Sequence, residues 1–433
     1  MSTIPPGLTV RSPRPRGALL FPLVFTFLLM ETRFLRNAIT LGLISAIGPF
    51  AIDMYLPALP DIGRNLHADT GAVQMSLTVF FIALSLGQSV YGPLSDMIGR
   101  KAPLYLGLAL FSISSVGCAL APSVGVLIAF RFLQGIGACA GMVIPRAIVR
   151  DLHTGVDATR LMSLLMLVFS ISPILAPLTG SFVIQLGGWR AVFWTVLVAA
   201  VVGWAILGTL SETRPPAERA RSTIRGSVAA YGLLLRDRHF LGLAFIGAFG
   251  ISSFFVYLSN SPFVLIEHYH LSPRLYSVCF SVNAASFFAV AQCTGWLAAR
   301  FGLRRLVRGA VIIYATVMLA LLAVFASGVD NLYVLAAFLF VGYGCLGLVI
   351  PTTSVLALEE HGEIAGTASA LIGTIQFVTG AVLMLLVGSF LNGTALPMVA
   401  GIAGCAAVAL VLAQTTLRTS EPQPSAEPAT DCE

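Results

Sequence analysis

Two ionisable residues, Asp53 and Arg131, interrupt stretches of sequence that are otherwise apolar for about 20 residues at a time. A charged side chain deep in a membrane-crossing helix costs at least about 2.5–3.5 kcal/mol, so one that is retained points to work on a proton, an ion or a charged cargo. Asp53 is the one acid placed well inside such a stretch, and Arg131 the one base. With helices over 38–59 and 124–148 running in opposite directions, both fall about 10 Å from the same membrane face at 1.5 Å per residue. Matching depth allows them to pair, directly or through water and polar side chains, which would keep Asp53 ionised until a proton or cationic substrate competes. A static pair that only fixes packing is the weaker alternative, because buried ion pairs are poor sources of stability. The expected chemistry is a proton switch, with Asp53 as carrier and Arg131 tuning it.

The elements that position these residues follow from composition. Over 433 residues, 57% are hydrophobic and 10% charged, with mean hydropathy +0.91. That leaves too little polar surface to cover a soluble globule of this size. Apolar stretches of spanning length predict twelve transmembrane helices, over 38–59, 72–94, 103–121, 124–148, 162–187, 190–210, 240–266, 276–299, 306–327, 332–357, 364–391 and 396–416. Of 25 Lys and Arg, Arg64, Arg190 and Arg274 fall in outer segments and Arg131 in a span; the rest lie on one side, which places both termini in the cytoplasm. The net charge of +6 then reads as topology and contact with anionic lipid, not as a nucleic-acid surface.

The longest charged break divides the chain into a six-helix bundle over 34–211, a cytoplasmic loop over 212–239 and a second six-helix bundle over 240–416. Residues 1–33 form an N-terminal extension. Its apolar run, Ala18 to Met30, reaches only about 20 Å, and a start of translation at Met30 would make 1–29 an extension of the true chain. Residues 417–433, rich in Pro, Ser and Glu, read as a disordered cytoplasmic tail. Six of the seven cysteines lie in predicted spans as small packing residues, with Cys432 in the tail. Glu267, His268 and His270 sit together but read as a solvated loop, and no metal is assigned. Paired carboxylates, an activated nucleophile or a histidine cluster at catalytic spacing are missing from the sequence, which argues against an enzyme. No Gly-x-x-x-x-Gly-Lys-Ser/Thr stretch occurs, so no cofactor is expected and the energy should come from an ion gradient.

The halves repeat. Gly92-Pro-Leu-Ser-Asp96-Met-Ile-Gly99-Arg100-Lys101 closes the second span, and Gly295-Trp-Leu-Ala-Ala299-Arg-Phe-Gly302-Leu-Arg304-Arg305 closes the eighth. Both place Gly, Leu and Gly at matching offsets before a basic cluster, although Ala299 stands where Asp96 does. Glycines there suit close helix approach, while Asp96 and the cations can make charge-assisted bonds to neighbouring helix ends. Asp53-Met-Tyr55-Leu is echoed by Phe255-Val-Tyr257-Leu, again without the acid.

The first of these loops resembles the Gly-x-x-x-Asp-x-x-Gly-Arg-Lys/Arg signature of the major facilitator superfamily, matched by Gly92, Asp96, Gly99, Arg100 and Lys101 at every defined position. The resemblance implies a cytoplasmic gate for this loop. Arg131-Phe-Leu-Gln134-Gly135-Ile-Gly137 resembles the fourth-helix motif whose arginine is associated with proton coupling. Ser170-Ile-Ser-Pro173-Ile-Leu-Ala-Pro177-Leu-Thr-Gly180 is similar to the fifth-helix motif of proton-coupled exporters, with Ala176 in place of a glycine. Whatever the family, two prolines four apart remove two backbone donors and favour a bend. Ile52-Asp53-Met54-Tyr55-Leu56-Pro57-Ala58-Leu59-Pro60 resembles the first helix of the Bcr/CflA drug-resistance branch. Arg150-Asp151-Leu152, Ser261-Pro262-Phe263 and Gly366-Thr-Ala-Ser-Ala370 extend the likeness over most of 34–416.

The resemblance implies an all-α membrane protein of the major facilitator fold, two pseudo-symmetric six-helix bundles rocking about a midplane pocket. The implied activity is export of hydrophobic drugs such as bicyclomycin- or chloramphenicol-like molecules across the bacterial inner membrane, in exchange for protons. An exporter or proton symporter of an amino acid or sugar is the alternative. The expected partners are a hydrophobic small molecule, protons and lipid, with no nucleic acid and a monomeric protein. Tyr55, Tyr257, Asn260, Asn283, Tyr343 and Gln376 are candidate pocket residues, on helices that line the cavity in the resembled fold.

Overall fold

The computed structural model describes residues 20–153, 155–219, 224–359 and 361–417. The expected tail beyond 417 and the first 19 residues of the extension lie outside them. The described residues form helices α1 (Leu20–Asp53), α2 (Leu59–Asn65), α3 (Thr70–Ile98), α4 (Lys101–Ala119), α5 (Val124–Leu152), α6 (Gly155–Leu207), α7 (Pro216–Arg219) and α8 (Ile224–Leu234). The second half adds α9 (Arg238–Pro262), α10 (Pro273–Gln292), α11 (Thr294–Phe301), α12 (Leu303–Ala326), α13 (Leu332–Glu359), α14 (Ala365–Gly388) and α15 (Leu396–Thr416). Among the described residues, eleven helical stretches are long and apolar enough to cross a membrane. The longest, Arg160–Leu207, holds two crossings, because Gly187 and Gly188 leave helical geometry and Gly188 takes φ +69°. A side chain at that angle would be strained, so glycine permits the reversal. Twelve crossings result.

Side-chain caps mark several starts. Asp69 accepts from the Ala72 amide at 2.7 Å, Asp237 from the His239 and Phe240 amides at 2.8 and 3.2 Å, and Ser272 from Leu275, just ahead of Pro273. Each satisfies donors that a helix start leaves without partners. Large apolar side chains such as Leu106, Ile113, Val198 and Trp204 point outward. Water would penalise that surface and acyl chains would not, so this is a multi-pass membrane protein.

In the first half α1 packs on α6, and α3 and α4 on α5; in the second, α9 packs on α14 and α15, and α12 on α13. The halves meet mainly where α3 lies along α14 and α6 along α10. These two seams correspond to one another under exchange of the halves, as expected of a repeated six-helix plan. Gly99 and Gly302 carry the repeat into local geometry, with φ/ψ of 97°/170° and 79°/148°.

Three expectations about elements are corrected. The first crossing is not one helix over 38–59. The α-helix stops at Asp53 and resumes after a 3-10 turn, Leu56–Ala58, because Pro57 and Pro60 lack the donors to continue it. The eighth crossing is interrupted at Cys293, between α10 and α11. The region 212–239, expected as a loop, contains α7 and α8.

Candidate functional site

Asp53 is the last residue of α1 and is almost fully buried. Among the described residues its carboxylate has no hydrogen-bond partner and no cation within 4 Å. The 3-10 turn that follows Asp53, Leu56–Ala58, packs against α10 across the seam between the halves. The expected pair with Arg131 does not form. Arg131 is fully buried and its Nη1 donates to the Ala51 carbonyl at 3.2 Å and to Gln134 Oε1 at 2.7 Å. Gln134 in turn donates to Ser115 Oγ at 2.8 Å. The guanidinium carbon lies 4.5 Å from the Tyr55 ring centroid and 4.3 Å from that of Phe80, an arrangement in which the ring faces attract the cation. Among the described residues its Nε and Nη2 find no acceptor. Arg131 is therefore tied to the end of α1 through the Ala51 carbonyl, two residues before Asp53, and not through the carboxylate.

Gly180 completes this cluster. A Cβ there would fall on the carbonyl oxygen of Met54, so only glycine lets α6 reach the break that follows Asp53. Pro173 and Pro177 keep helical dihedrals within the crossing that precedes the Gly187–Gly188 reversal.

The outer end of the seam is closed by hydrogen bonds between halves. Gln74 Nε2 on α3 donates to the Ser259 carbonyl at 3.0 Å and to Asn260 Oδ1 at 3.1 Å. On α10, Ser277 Oγ donates to the Pro177 carbonyl at 2.8 Å and Ser281 Oγ to that of Ile174 at 2.7 Å. Toward the end carrying the basic loops the halves separate around a cavity of about 840 Å³. It is lined by α3, α5 and α6 from one side and α13 and α14 from the other, and it reaches Asp96, Arg100 and Asp151 at the loop end.

Of the expected pocket residues, Gln376 lines this cavity. Tyr55, Tyr257, Asn260, Asn283 and Tyr343 do not; all are buried in packing. Tyr55 shares a hydrogen bond with Ser76 at 2.7 Å, Asn283 Nδ2 donates to the Tyr257 hydroxyl at 3.1 Å, and the Tyr343 hydroxyl reaches the Ser253 carbonyl at 3.4 Å. Asn260 holds the closed outer seam. The cavity carries instead Arg146 on α5, near the cytoplasmic end of the span expected over 124–148.

At the loop, Arg100 is nearly buried. Its Nε and Nη2 donate to the two oxygens of Asp151 at 2.8 and 3.2 Å, and its Nη1 to Asp96 at 2.7 Å and Ser95 at 2.8 Å. Arg214 approaches Asp96 at 3.4 Å, and Thr213 donates to Asp151 at 2.9 Å. Glu212 accepts from the amides of Arg100 at 2.9 Å and Lys101 at 3.1 Å. Partial desolvation would raise the Glu212 pKa, but the amides of Arg100, Arg214 and Lys101 and the charge of Arg219 hold it below the usual carboxylate range. Gly99 makes this possible, since a Cβ there would sit 2.7 Å from Glu212 Oε2. Gly92, expected at a close helix contact, has no neighbour there and lines the cavity.

His268, weighed above with Glu267 and His270, hydrogen-bonds Asp330 at 2.7 Å. Among the described residues no group of His, Cys, Asp and Glu is arranged to hold a metal ion.

The model of the Major Facilitator Superfamily matches residues 41–384. The chain belongs to that superfamily. This transporter is 37% identical over 364 residues to the uncharacterized MFS-type transporter YdgK of Bacillus subtilis, covering 83% of this chain and 90% of the relative. It is 30% identical to multidrug resistance protein D of Escherichia coli, covering 79% and 86% of the two chains. It is 28% identical to a bicyclomycin resistance protein homolog of Haemophilus influenzae, covering 86% and 94%. These relatives agree with the Bcr/CflA-type resemblance of the first helix. A crystal structure of a D-xylose-proton symporter superposes with a TM-score of 0.68 at 16% identity, covering 87% of this transporter and 97% of the symporter. At that identity the match speaks for the twelve-helix fold alone.

Proposed function

We propose that this transporter exports hydrophobic antibiotics and related small molecules across the bacterial inner membrane in exchange for protons. The observation that carries the reading is the cavity of about 840 Å³ between the halves, which extends to the basic-loop end while inter-half hydrogen bonds close the other. That volume lies in the range of drug-sized sites. The names of the relatives, multidrug resistance protein D and a bicyclomycin resistance protein homolog, favour a drug over a sugar or amino acid.

In this reading cargo enters from the cytoplasm, and the halves rock to open the seam near Asp53. Asp53 loads and releases the proton. Among the described residues it has no ion pair to break first, and the turn that follows it packs against α10 of the other half, so its protonation biases the closed outer seam. Arg131 positions the end of α1 that carries it. The network of Asp96, Arg100, Lys101, Asp151 and Glu212 locks the first half's loop end in a set geometry and biases the gate. The working unit is a monomer in lipid.

Susceptibility profiling of an efflux-deficient bacterium tests the reading, across chemically distinct antibiotics. Expression of the wild-type chain should raise the tolerated concentration of at least one hydrophobic antibiotic severalfold, and Asp53→Asn should not. Protection against none of the compounds would overturn drug export and favour a metabolite as cargo.

A further inference from the structure

Arg146 stands on α5 about one and a half turns before that helix ends at Leu152. Its side chain is exposed to the cavity between the halves, with its guanidinium carbon 5.1 Å from the Phe169 ring centroid on α6. The acids that line that cavity are engaged. Asp151 and Asp96 bind Arg100 at 2.8 and 2.7 Å, and Asp96 also meets Arg214 at 3.4 Å. Among the described residues, Arg146 and its neighbour Arg150 have no carboxylate within 4 Å and no hydrogen-bond acceptor. The cavity thus presents an uncompensated cation backed by an aromatic ring, in a space walled by apolar helices where charge is poorly screened.

A guanidinium so placed is a planar donor without its acceptor, and the group it suits is a carboxylate or similar oxyanion. Phe169 beside it offers a face to an aromatic or apolar frame on the same molecule. Gln88 and Gln376 border the same cavity from α3 and α14 and supply neutral donors and acceptors. We infer that the cavity prefers amphiphilic organic anions, with Arg146 binding the anionic group and Phe169 the apolar body. This rests on the export reading, for which it names the charge class of the cargo.

The test uses the full chain, purified in detergent and bead-bound, with tritiated 2-naphthoate against 2-naphthamide and biphenyl-4-carboxylate against its amide. The members of each pair share a shape and differ in charge. Scintillation proximity should show each acid bound at least tenfold more tightly than its amide. Arg146→Gln should bring acid and amide within about twofold of each other, and Arg146→Lys, which keeps the charge, should retain most of the preference. A melting curve for each variant verifies folding. Equal binding of acid and amide by the wild type, an intact preference in Arg146→Gln, or no binding of either acid overturns the inference. If acid and amide bind equally while the chain still protects cells against neutral antibiotics, the anion site fails and the export reading stands. If the acids are preferred but no antibiotic is resisted, the anion site stands and drug export fails.

Discussion

The guanidinium of Arg131 is sandwiched by Tyr55 and Phe80, 4.5 and 4.3 Å from their ring centroids, and makes no contact with Asp53. A buried cation held by two rings, one carbonyl and one amide oxygen, with two nitrogens lacking acceptors, is a poor source of stability. Replacing it with an apolar side chain of similar length removes a desolvation penalty that its partners only partly offset. Arg131→Met should therefore keep or raise the melting temperature in detergent while losing most transport activity, because the Ala51 carbonyl and the end of α1 lose their tie. A steep fall in melting temperature would show instead that the arginine is there to hold the fold.

Asp53 should behave in the opposite way to a structural ion pair. With no partner among the described residues, Asp53→Asn removes no salt bridge and substitutes a side chain of the same shape. Protein in the membrane and its melting temperature should stay near wild type, within about 1 kcal/mol of stability. Proton-driven drug flux in everted vesicles, followed by the recovery of a quenched ΔpH-sensitive dye on addition of drug, should fall to background. Flux unchanged under an imposed proton gradient would remove Asp53 from the coupling step.

Much of this arrangement was legible in the sequence, for reasons that differ residue by residue. Asp53 stood out because an acid in an apolar span carries a large cost, and the gate loop because five defined positions match a signature at fixed spacing. Arg146 did not stand out, because the cytoplasmic excess of basic residues already accounts for an arginine near a helix end. Asp151 and Glu212 are acids at helix ends and have no signature of their own; what selects them is the approach of Arg100 from about 50 and 110 residues away in sequence, as the separations of these bonds record. Tyr55 and Tyr257 were visible as a repeated pair, but hydropathy cannot say whether an aromatic ring in a bundle faces a cavity, a neighbouring helix or lipid. Both are buried in packing, Tyr55 bonded to Ser76 and Tyr257 to Asn283. The stop at Asp53 was hidden inside a run of apolar letters, where Pro57 and Pro60 were the available warning.

Gly180 offers a test of how closely the proton site is built. Gly180→Ala puts a methyl on the Met54 carbonyl oxygen, a backbone atom that cannot rotate away, so α1 and α6 must part. A core overpacked in this way typically loses about 1–3 kcal/mol. Transport should fall along with stability, since the displaced segment is the one that follows Asp53. The contrast is Gly309→Ala on α12, where an added Cβ meets nothing within 4 Å. There the substitution should be neutral or stabilising by up to about 1 kcal/mol through helix propensity. Parallel melting curves and flux assays separate the two, and equal effects would sink the packing argument.

The tie between Glu212 and the loop at Gly99 predicts a pH dependence with a definite sign. Its carboxyl is held below the ordinary carboxylate value by the amides of Arg100, Arg214 and Lys101, so the folded loop favours the ionised form. That contribution is fully present above the ordinary value of about 4.3 and is lost as pH falls through the lower folded value. Across neutral pH the loop should be indifferent to pH. Hydrogen exchange at the Arg100 and Lys101 amides should be slow and evenly protected, after correction for intrinsic rate, from about pH 5 upward, and should lose protection only in stronger acid. Glu212→Gln should produce that loss at neutral pH. The amide side chain can still accept one bond but carries no charge for Arg219, so the protection factor should fall by roughly tenfold for each 1.4 kcal/mol removed. Loss of protection in the wild type between pH 6 and 8 would mean that another group governs the loop.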